Sequence, residues 1–351
     1  MNIFPKHVML NGKLGSINGI IKHKNPKTEW DSGFISFLNE WYSSENFIEV
    51  KTSGSTGTPK NIRLNKKFVA ESAQRTLQFF ELKKNDRILH CLPMQYIAGK
   101  LMIVRALLGE LDLYLTEPTT DFSFLKNEKF RFAAMVPKQV TKILNAECKH
   151  GELLANIEQL LIGGSSIPSS LEKALQNVST ACFSSYGMTE TATHIALRKI
   201  NGTGADGWYH CLENIRVSLS AEGCLQIFLP GLENQPLHTT DLAELKDEKT
   251  FRILGRADNV IISGGIKFSP EQLEKKLEPF ISEPFLISSL PHESLGQQLV
   301  FVVEGSENKE TVKKLKKICR KHLDKYEQPK QILFLHKLPR LPNGKFNRRE
   351  T

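Results

Sequence analysis

The sequence has no apolar run near the roughly 18 residues that a helix needs to cross a bilayer. The best candidate, residues 101–115, is interrupted by Arg105, Glu110 and Asp112. The first thirteen residues, MNIFPKHVMLNGK, lack a basic segment leading into an apolar one and a small-residue cleavage site. Secretion and membrane insertion are therefore not expected, and a cytoplasmic protein is. Paired cysteines are missing too: Cys91, Cys148, Cys182, Cys211, Cys224 and Cys319 include no C-x-x-C. In a chain of 351 residues that argues against a disulfide framework and a zinc ribbon, and leaves reduced, mostly buried thiols. No repeat or low-complexity segment occurs. With 40% hydrophobic and 24% charged residues the chain is too apolar to be largely disordered, and its length suggests two domains.

What is present begins with a local excess of positive charge. Residues 306–351 hold 14 basic and 5 acidic side chains, which accounts for the whole net charge of +9. Val312, Leu315, Cys319 and His322 or Leu323 recur there at helical spacing, and Lys313, Lys314, Lys316, Lys317, Arg320 and Lys321 fill the other face. Such a face is either simply solvated or meets a phosphate-rich partner, a nucleic acid or a nucleotide cofactor. No nucleic-acid motif accompanies it, and nucleic acid is not the expected partner.

Along the chain, Trp30, Phe34, Phe37, Leu38 and Trp41 fit one helix face, and 47–50 reads as a strand entering a Gly/Ser/Thr loop. Val69, Ala73, Leu77 and Phe80 carry a helix after that loop. Strand-like and helix-like segments then alternate through 88–92, 99–108, 111–115, 132–136, 138–145 and 160–162, which predicts an α/β fold rich in parallel sheet. From about Gly202 to Leu254 turn signals multiply and antiparallel strands are expected. A large first domain is placed at 1–254 and a small α+β domain at 255–351. The latter contains a strand at 260–262 and a helix with Ser269 as N-cap, Pro270 at N1 and Gln272 completing a capping box. Strands at 285–288, 299–303 and 331–335 and the lysine-rich helix complete it.

Five stretches can carry chemistry. Thr52-Ser53-Gly54-Ser55-Thr56-Gly57-Thr58-Pro59-Lys60 offers hydroxyls, close-approach glycines and a cation to anionic oxygens. It is not a Walker A loop, because Pro59 precedes the lysine and Asn61 follows it. In Tyr186-Gly187-Met188-Thr189-Glu190 the aromatic can lie against a planar base, the threonine can bond phosphate and the glutamate can hold Mg²⁺; read in isolation, an ordinary strand-to-turn junction fits better. Gly163-Gly164-Ser165-Ser166 is a second close-approach turn or a plain loop. Asp241, in Thr239-Thr240-Asp241, can accept both ribose hydroxyls or sit in a surface turn. Residues 255–265, GRADNVIISGG, read as a hinge or a linker. Pro342-Asn343-Gly344 is a turn that would project Lys345, which could also be solvent decoration.

Together and in this order, these stretches resemble the adenylate-forming superfamily of acyl-CoA synthetases, peptide adenylation domains and luciferases. Residues 92–105, LPMQYIAGKLMIVR, and the compact length are most similar to its 2-succinylbenzoate–CoA ligase family of menaquinone biosynthesis. The resemblance implies two half-reactions. A carboxylate attacks the α-phosphorus of Mg·ATP to give acyl-adenylate and pyrophosphate; a mobile small domain then rotates and the thiol of coenzyme A displaces AMP. It assigns Ser53, Ser55, Thr56 and Lys60 to the β/γ-phosphates, Thr52, Gly54, Gly57 and Thr58 to the nucleotide site with them, and Thr189 to the α-phosphate. Glu190 would bind Mg²⁺. Gly164, Tyr186 and Gly187 would border the nucleotide, Asp241 and Arg256 would bond its ribose, and Asp258 would be the hinge. Lys345 would bridge carboxylate and α-phosphate, and Gly264 and Gly265 would border the coenzyme A tunnel.

A succinylbenzoate carries a second carboxylate, which needs a cation or donors once desolvated. Tyr96 and Gly99 are expected to line the acyl pocket, Arg105 to neutralise that carboxylate, and His194 to form part of the wall. The alternative for Arg105 is a helix-surface arginine. Three departures from the family pattern stand out. Only 51 residues precede the phosphate loop, so part of the N-terminal subdomain is expected to be absent or minimal; Tyr96 replaces a common histidine; and Ile266-Lys267 replaces Glu-Asn. Partners are then a small-molecule acid, ATP and coenzyme A, with the oligomeric state open and a homodimer among the options. A ligase for another aromatic or short-chain acid, or a non-catalytic acyl-nucleotide or nucleic-acid binding module, are the competing readings.

Overall fold

Parallel strands need crossovers, and the apolar segments that alternate in the first half supply them. The computed structural model describes residues 2–22, 28–51, 60–119, 121–123, 126–146, 152–231, 235–340, 346–348 and 350. It divides into two compact units, Met1–Ile215 and Arg216–Thr351. The expected division at 254/255 falls inside the second unit, within the strand Thr250–Arg256.

In the first unit, strands Ala181–Gly187, Ile157–Ile162, Phe130–Met135, Arg87–His90, Asp112–Leu115 and His7–Leu10 lie side by side in that order, all parallel. Antiparallel strands flank them: His194–Lys199 and then Tyr209–Cys211 on one side, Lys13–Ser16 on the other. Period-two alternation sends Leu89, Cys91, Ala133, Met135, Leu160 and Ile162 to one face. There they pack on Val140, Ile143, Leu154, Leu171 and Leu175 from the helices Pro137–Ala146, Glu152–Ala155 and Ser169–Leu175. Ile88 and His90 therefore belong to the opposite face. Helices Lys66–Phe79 and Ile97–Gly109 pack together in this unit. The second of these is apolar almost all round and buried from Gly99 to Leu107, the pattern of a core helix. A strand that the sequence pattern did not predict, Asn61–Asn65, separates the phosphate loop from the helix Lys66–Phe79 and pairs antiparallel with Phe47–Lys51.

In the second unit, Arg216–Leu219, Cys224–Phe228, Leu237–Asp247 and Thr250–Arg256 form the expected antiparallel meander. A five-stranded sheet follows, built from Ile261–Ser263, Ile266–Phe268, Phe285–His292, Gly296–Glu304 and Gln331–Leu335. Leu273 and Leu277 from the helix Pro270–Leu277, and Leu315 and Cys319 from the helix Lys309–His322, cover one face of it. The expected capping box at Ser269 does not form. Its hydroxyl donates instead to the Leu254 carbonyl (3.0 Å), a tertiary acceptor that no local pattern reveals.

Candidate active site

The carboxyl ends of parallel strands gather at one edge of a sheet, where ligands of open α/β proteins bind. His90, Gly163-Gly164 and Tyr186-Gly187 all stand at such ends in the first unit. Gly164 has φ +86°. Thr189 and Glu190 open the single-turn helix Thr189–Thr191 directly after, and Glu190 is exposed. This turn is locked from within by Thr191, which is 0% exposed. Its hydroxyl accepts the Met188 N–H at 3.0 Å and lies 2.6 Å from the Thr193 carbonyl and 2.9 Å from that of Met188. Tyr209 stands 5.9 Å from the Tyr186 ring and bonds Ser184 Oγ at 2.8 Å. Neither Thr191 nor Tyr209 was a sequence candidate; a hydroxyl one place beyond the glutamate was the only signal for the first. Residues 52–58 lie outside the described residues. Lys60, exposed, follows them at the start of Asn61–Asn65.

The expected acyl pocket is a buried polar cluster. Tyr96, half-buried, is the N-cap of the helix Ile97–Gly109. Gly99 is required by close approach, because a Cβ there would lie 2.3 Å from the Pro93 carbonyl oxygen. Arg105 is 2% exposed, which rules out the helix-surface alternative. Its Nη1 contacts Met102 Sδ at 3.4 Å, while Nε and Nη2 have no hydrogen-bond partner among the described residues. Burial pushes this guanidinium down to about 9, since a desolvated cation without a counter-ion is costly. His194, 4% exposed, places Nε2 3.2 Å from Thr76 Oγ1. Burial and then the nearby Arg105 and Arg75 hold it well below the ordinary imidazole range. His90 is 0% exposed and is pushed down to about 3 by burial and then by Arg105. A buried cation thus lies near two buried imidazoles, and two of its nitrogens have no hydrogen-bond partner among the described residues.

In the second unit, Asp241 and Arg256 face each other across the register of Leu237–Asp247 and Thr250–Arg256, with Nη1 3.5 Å from Oδ1. Arg256 also bonds Asp258 Oδ2 at 2.8 Å and Thr240 Oγ1. The two residues assigned to ribose are therefore neighbours, and the residue assigned to the hinge is ion-paired to one of them. Gly264 and Gly265 form the two-residue turn between Ile261–Ser263 and Ile266–Phe268, with φ +58° and +82°. Positive φ at both positions is what a type I′ hairpin demands, so turn geometry alone accounts for this pair. Lys345 lies outside the described residues. Around it Arg340 and Phe346 form an antiparallel bridge, and Arg348 bonds Glu274 and the Ile287 carbonyl (3.0 Å), contacts that sequence reading did not foresee.

Comparison with known proteins decides the family. A model described as AMP-binding enzyme matches residues 51–215. The solved acyl-CoA synthetase (AMP-forming)/AMP-acid ligase II-like protein from Dyadobacter fermentans is 32% identical, over 95% of this chain and 96% of that one, with TM-score 0.64. The chain belongs to the AMP-binding enzyme family. A curated relative of this AMP-binding enzyme, the 2-succinylbenzoate–CoA ligase of Bacillus mycoides, is 27% identical over 93% of this chain and 73% of its own length. The O-succinylbenzoate coenzyme A synthetase of Bacillus subtilis, solved with ATP and a magnesium ion, shares the fold. Its TM-score is 0.70 at 21% identity, over 86% of this chain and 69% of that one. Among the described residues no three of His, Cys, Asp and Glu gather as a metal site, and no helix is long and apolar enough to cross a membrane. One exposed carboxylate, Glu190, next to the threonine expected to meet phosphate, suits magnesium, which takes few protein ligands and completes its shell with phosphate and water.

Proposed function

We propose that this AMP-binding enzyme is an ATP-dependent acid–CoA ligase that activates 2-succinylbenzoate for menaquinone synthesis. The observation that carries the acid's identity is Arg105: a guanidinium 2% exposed, with two nitrogens that have no partner among the described residues, on the helix that opens at Tyr96. Removing a cation from water without a partner is costly, and an incoming carboxylate offsets that cost. The relative from Bacillus mycoides acts, by its name, on an acid of this kind.

In the first half-reaction an oxygen of the succinyl carboxylate bonds to the α-phosphorus and the bond to pyrophosphate breaks. Charge builds on phosphate oxygens, so the protein's part is positioning and electrostatic stabilisation. The 52–58 loop and Lys60 hold the β/γ-phosphates, Thr189 the α-phosphate, and Lys345 links carboxylate and α-phosphate. Glu190 holds the magnesium, which when bound offsets triphosphate charge. Tyr186, between Gly187 and the Tyr209 ring, flanks adenine, with Gly164 near by; Asp241 and Arg256 bond the ribose. In the second half-reaction the coenzyme A sulfur bonds to the acyl carbon and AMP leaves. Residues 255–351 turn about Asp258 to admit the thiol past Gly264 and Gly265. Partners are the acid, ATP and coenzyme A, in the cytoplasm.

Pyrophosphate release with a panel of acids, with and without coenzyme A, tests the reading. It expects 2-succinylbenzoate to be preferred, and Arg105→Ala to raise its KM by about tenfold to a hundredfold, the range for a lost charged hydrogen bond. An unchanged KM refutes the role of Arg105; release with another acid alone refutes the substrate.

A further inference from the structure

His90 is an unexplained buried donor in the same polar cluster. It ends the strand Arg87–His90 and is wholly buried. Its Nδ1 accepts the Leu92 N–H at 3.3 Å, so in the neutral ring the single proton sits on Nε2. That Nε2–H has no partner among the described residues. The ring is held edge-on to Trp30, 5.2 Å between centroids and 81° between planes, and the Trp30 Nε1–H is likewise buried and unpartnered. Trp30 belongs to the helix Glu29–Trp41, an element outside every motif of the nucleotide site. Arg105 is near enough for its charge to act on His90, and adds two further buried nitrogens with no partner among the described residues. Buried donors are nearly always satisfied in native proteins. So many orphans beside one cation mark the seat of an acceptor-rich anion.

We infer that His90 is a specificity-determining residue: its Nε2–H donates to the carboxylate of the substrate that is not adenylated, alongside Arg105, with Trp30 fixing the imidazole plane. This rests on the function proposed above and sharpens it, since the preferred substrates become acids with a second carboxylate. Arg105 supplies charge, whereas a neutral imidazole supplies direction. A guanidinium alone would accept an anion in several poses. A fixed donor selects the one that places the reacting carboxylate.

The test compares kcat/KM for 2-succinylbenzoate with that for benzoylpropionate, the same acid without its ring carboxylate. In His90→Leu this ratio should fall by about tenfold or more, the effect of losing a donor to a charged group. His90→Gln, whose amide can reach the place of Nε2, should keep it within about threefold of wild type. An unmoved ratio in His90→Leu, or an equal fall in both variants, overturns the inference. Should the variants fail to fold, the wild-type protein with nitrogen-labelled histidine is titrated with 2-succinylbenzoate without ATP. The His90 Nε2–H resonance should move downfield on saturation; a resonance that stays put overturns the inference. A wild-type enzyme that does not prefer 2-succinylbenzoate would remove the broader reading. A preference that survives His90→Leu removes only this one.

Discussion

At the scale of single residues, the neutral histidines of the acyl cluster have a consequence for stability that is separable from activity. His90 is held at about 3 and His194 well below its ordinary value, both chiefly by burial. In the unfolded chain both titrate near ~6.5. Below that pH the unfolded state binds protons that the native state refuses, so stability is fully present above ~6.5 and is lost as pH falls towards 3. Each histidine should contribute a slope of about 1.4 kcal/mol per pH unit through that window. Urea midpoints between pH 6.5 and 4.5 should therefore drop steeply, and His194→Gln should remove one histidine's share of the slope. A slope identical in wild type and variant would mean that His194 is protonated in the fold. The thiols take no such part: burial pushes Cys91 and Cys182 up to about 12, out of reach of nucleophilic use.

At the scale of elements, the turn carrying Thr189 and Glu190 depends on Thr191. Replacing that threonine by valine keeps the volume and strips the acceptor from the Met188 N–H, which costs about 1–3 kcal/mol for a buried orphan. Thr191→Val should lower kcat about tenfold or more with circular dichroism unchanged, because the groups proposed to face phosphate lose their backing; full activity would show that the turn holds without it. Sequence pattern made such elements legible to differing degrees. Buried parallel strands announced themselves as short apolar runs, and the Lys309–His322 helix by its charged face. The strand Asn61–Asn65 was hidden because only Ile62 and Leu64 are apolar and its pairing with Phe47–Lys51 is tertiary information. Phe285–His292 runs four residues past expectation, through Pro291, since the long partner Gly296–Glu304 fixes its pairing. Motifs could name candidate nucleotide residues because phosphate recognition is local. His90 and Trp30 were missed because what brings them together is a sheet face and a helix about 60 positions apart.

At the scale of the whole molecule, the proposed chemistry draws on both units: Lys60, Thr189 and Glu190 from the first, and Asp241, Arg256 and Lys345 from the second. Some 285 positions of chain separate Lys60 from Lys345. What the residues flanking the lysine segment show is a firm base: the Arg340–Phe346 bridge, Phe346 packed against Leu286, Val300, Val302 and Leu338, and Arg348 tied to Glu274. The role proposed for Lys345 is confined to the first half-reaction, where carboxylate and α-phosphate carry charge of the same sign. Lys345→Ala should therefore slow acyl-adenylate formation by about a hundredfold to a thousandfold, the usual effect of removing one such stabilising donor. Supplied with preformed acyl-adenylate and coenzyme A, the same variant should release AMP within about threefold of wild type, because no like charges then need to be bridged. Equal loss in both assays would assign Lys345 to nucleotide binding in general, and loss in neither would detach the second unit's terminal segment from the chemistry.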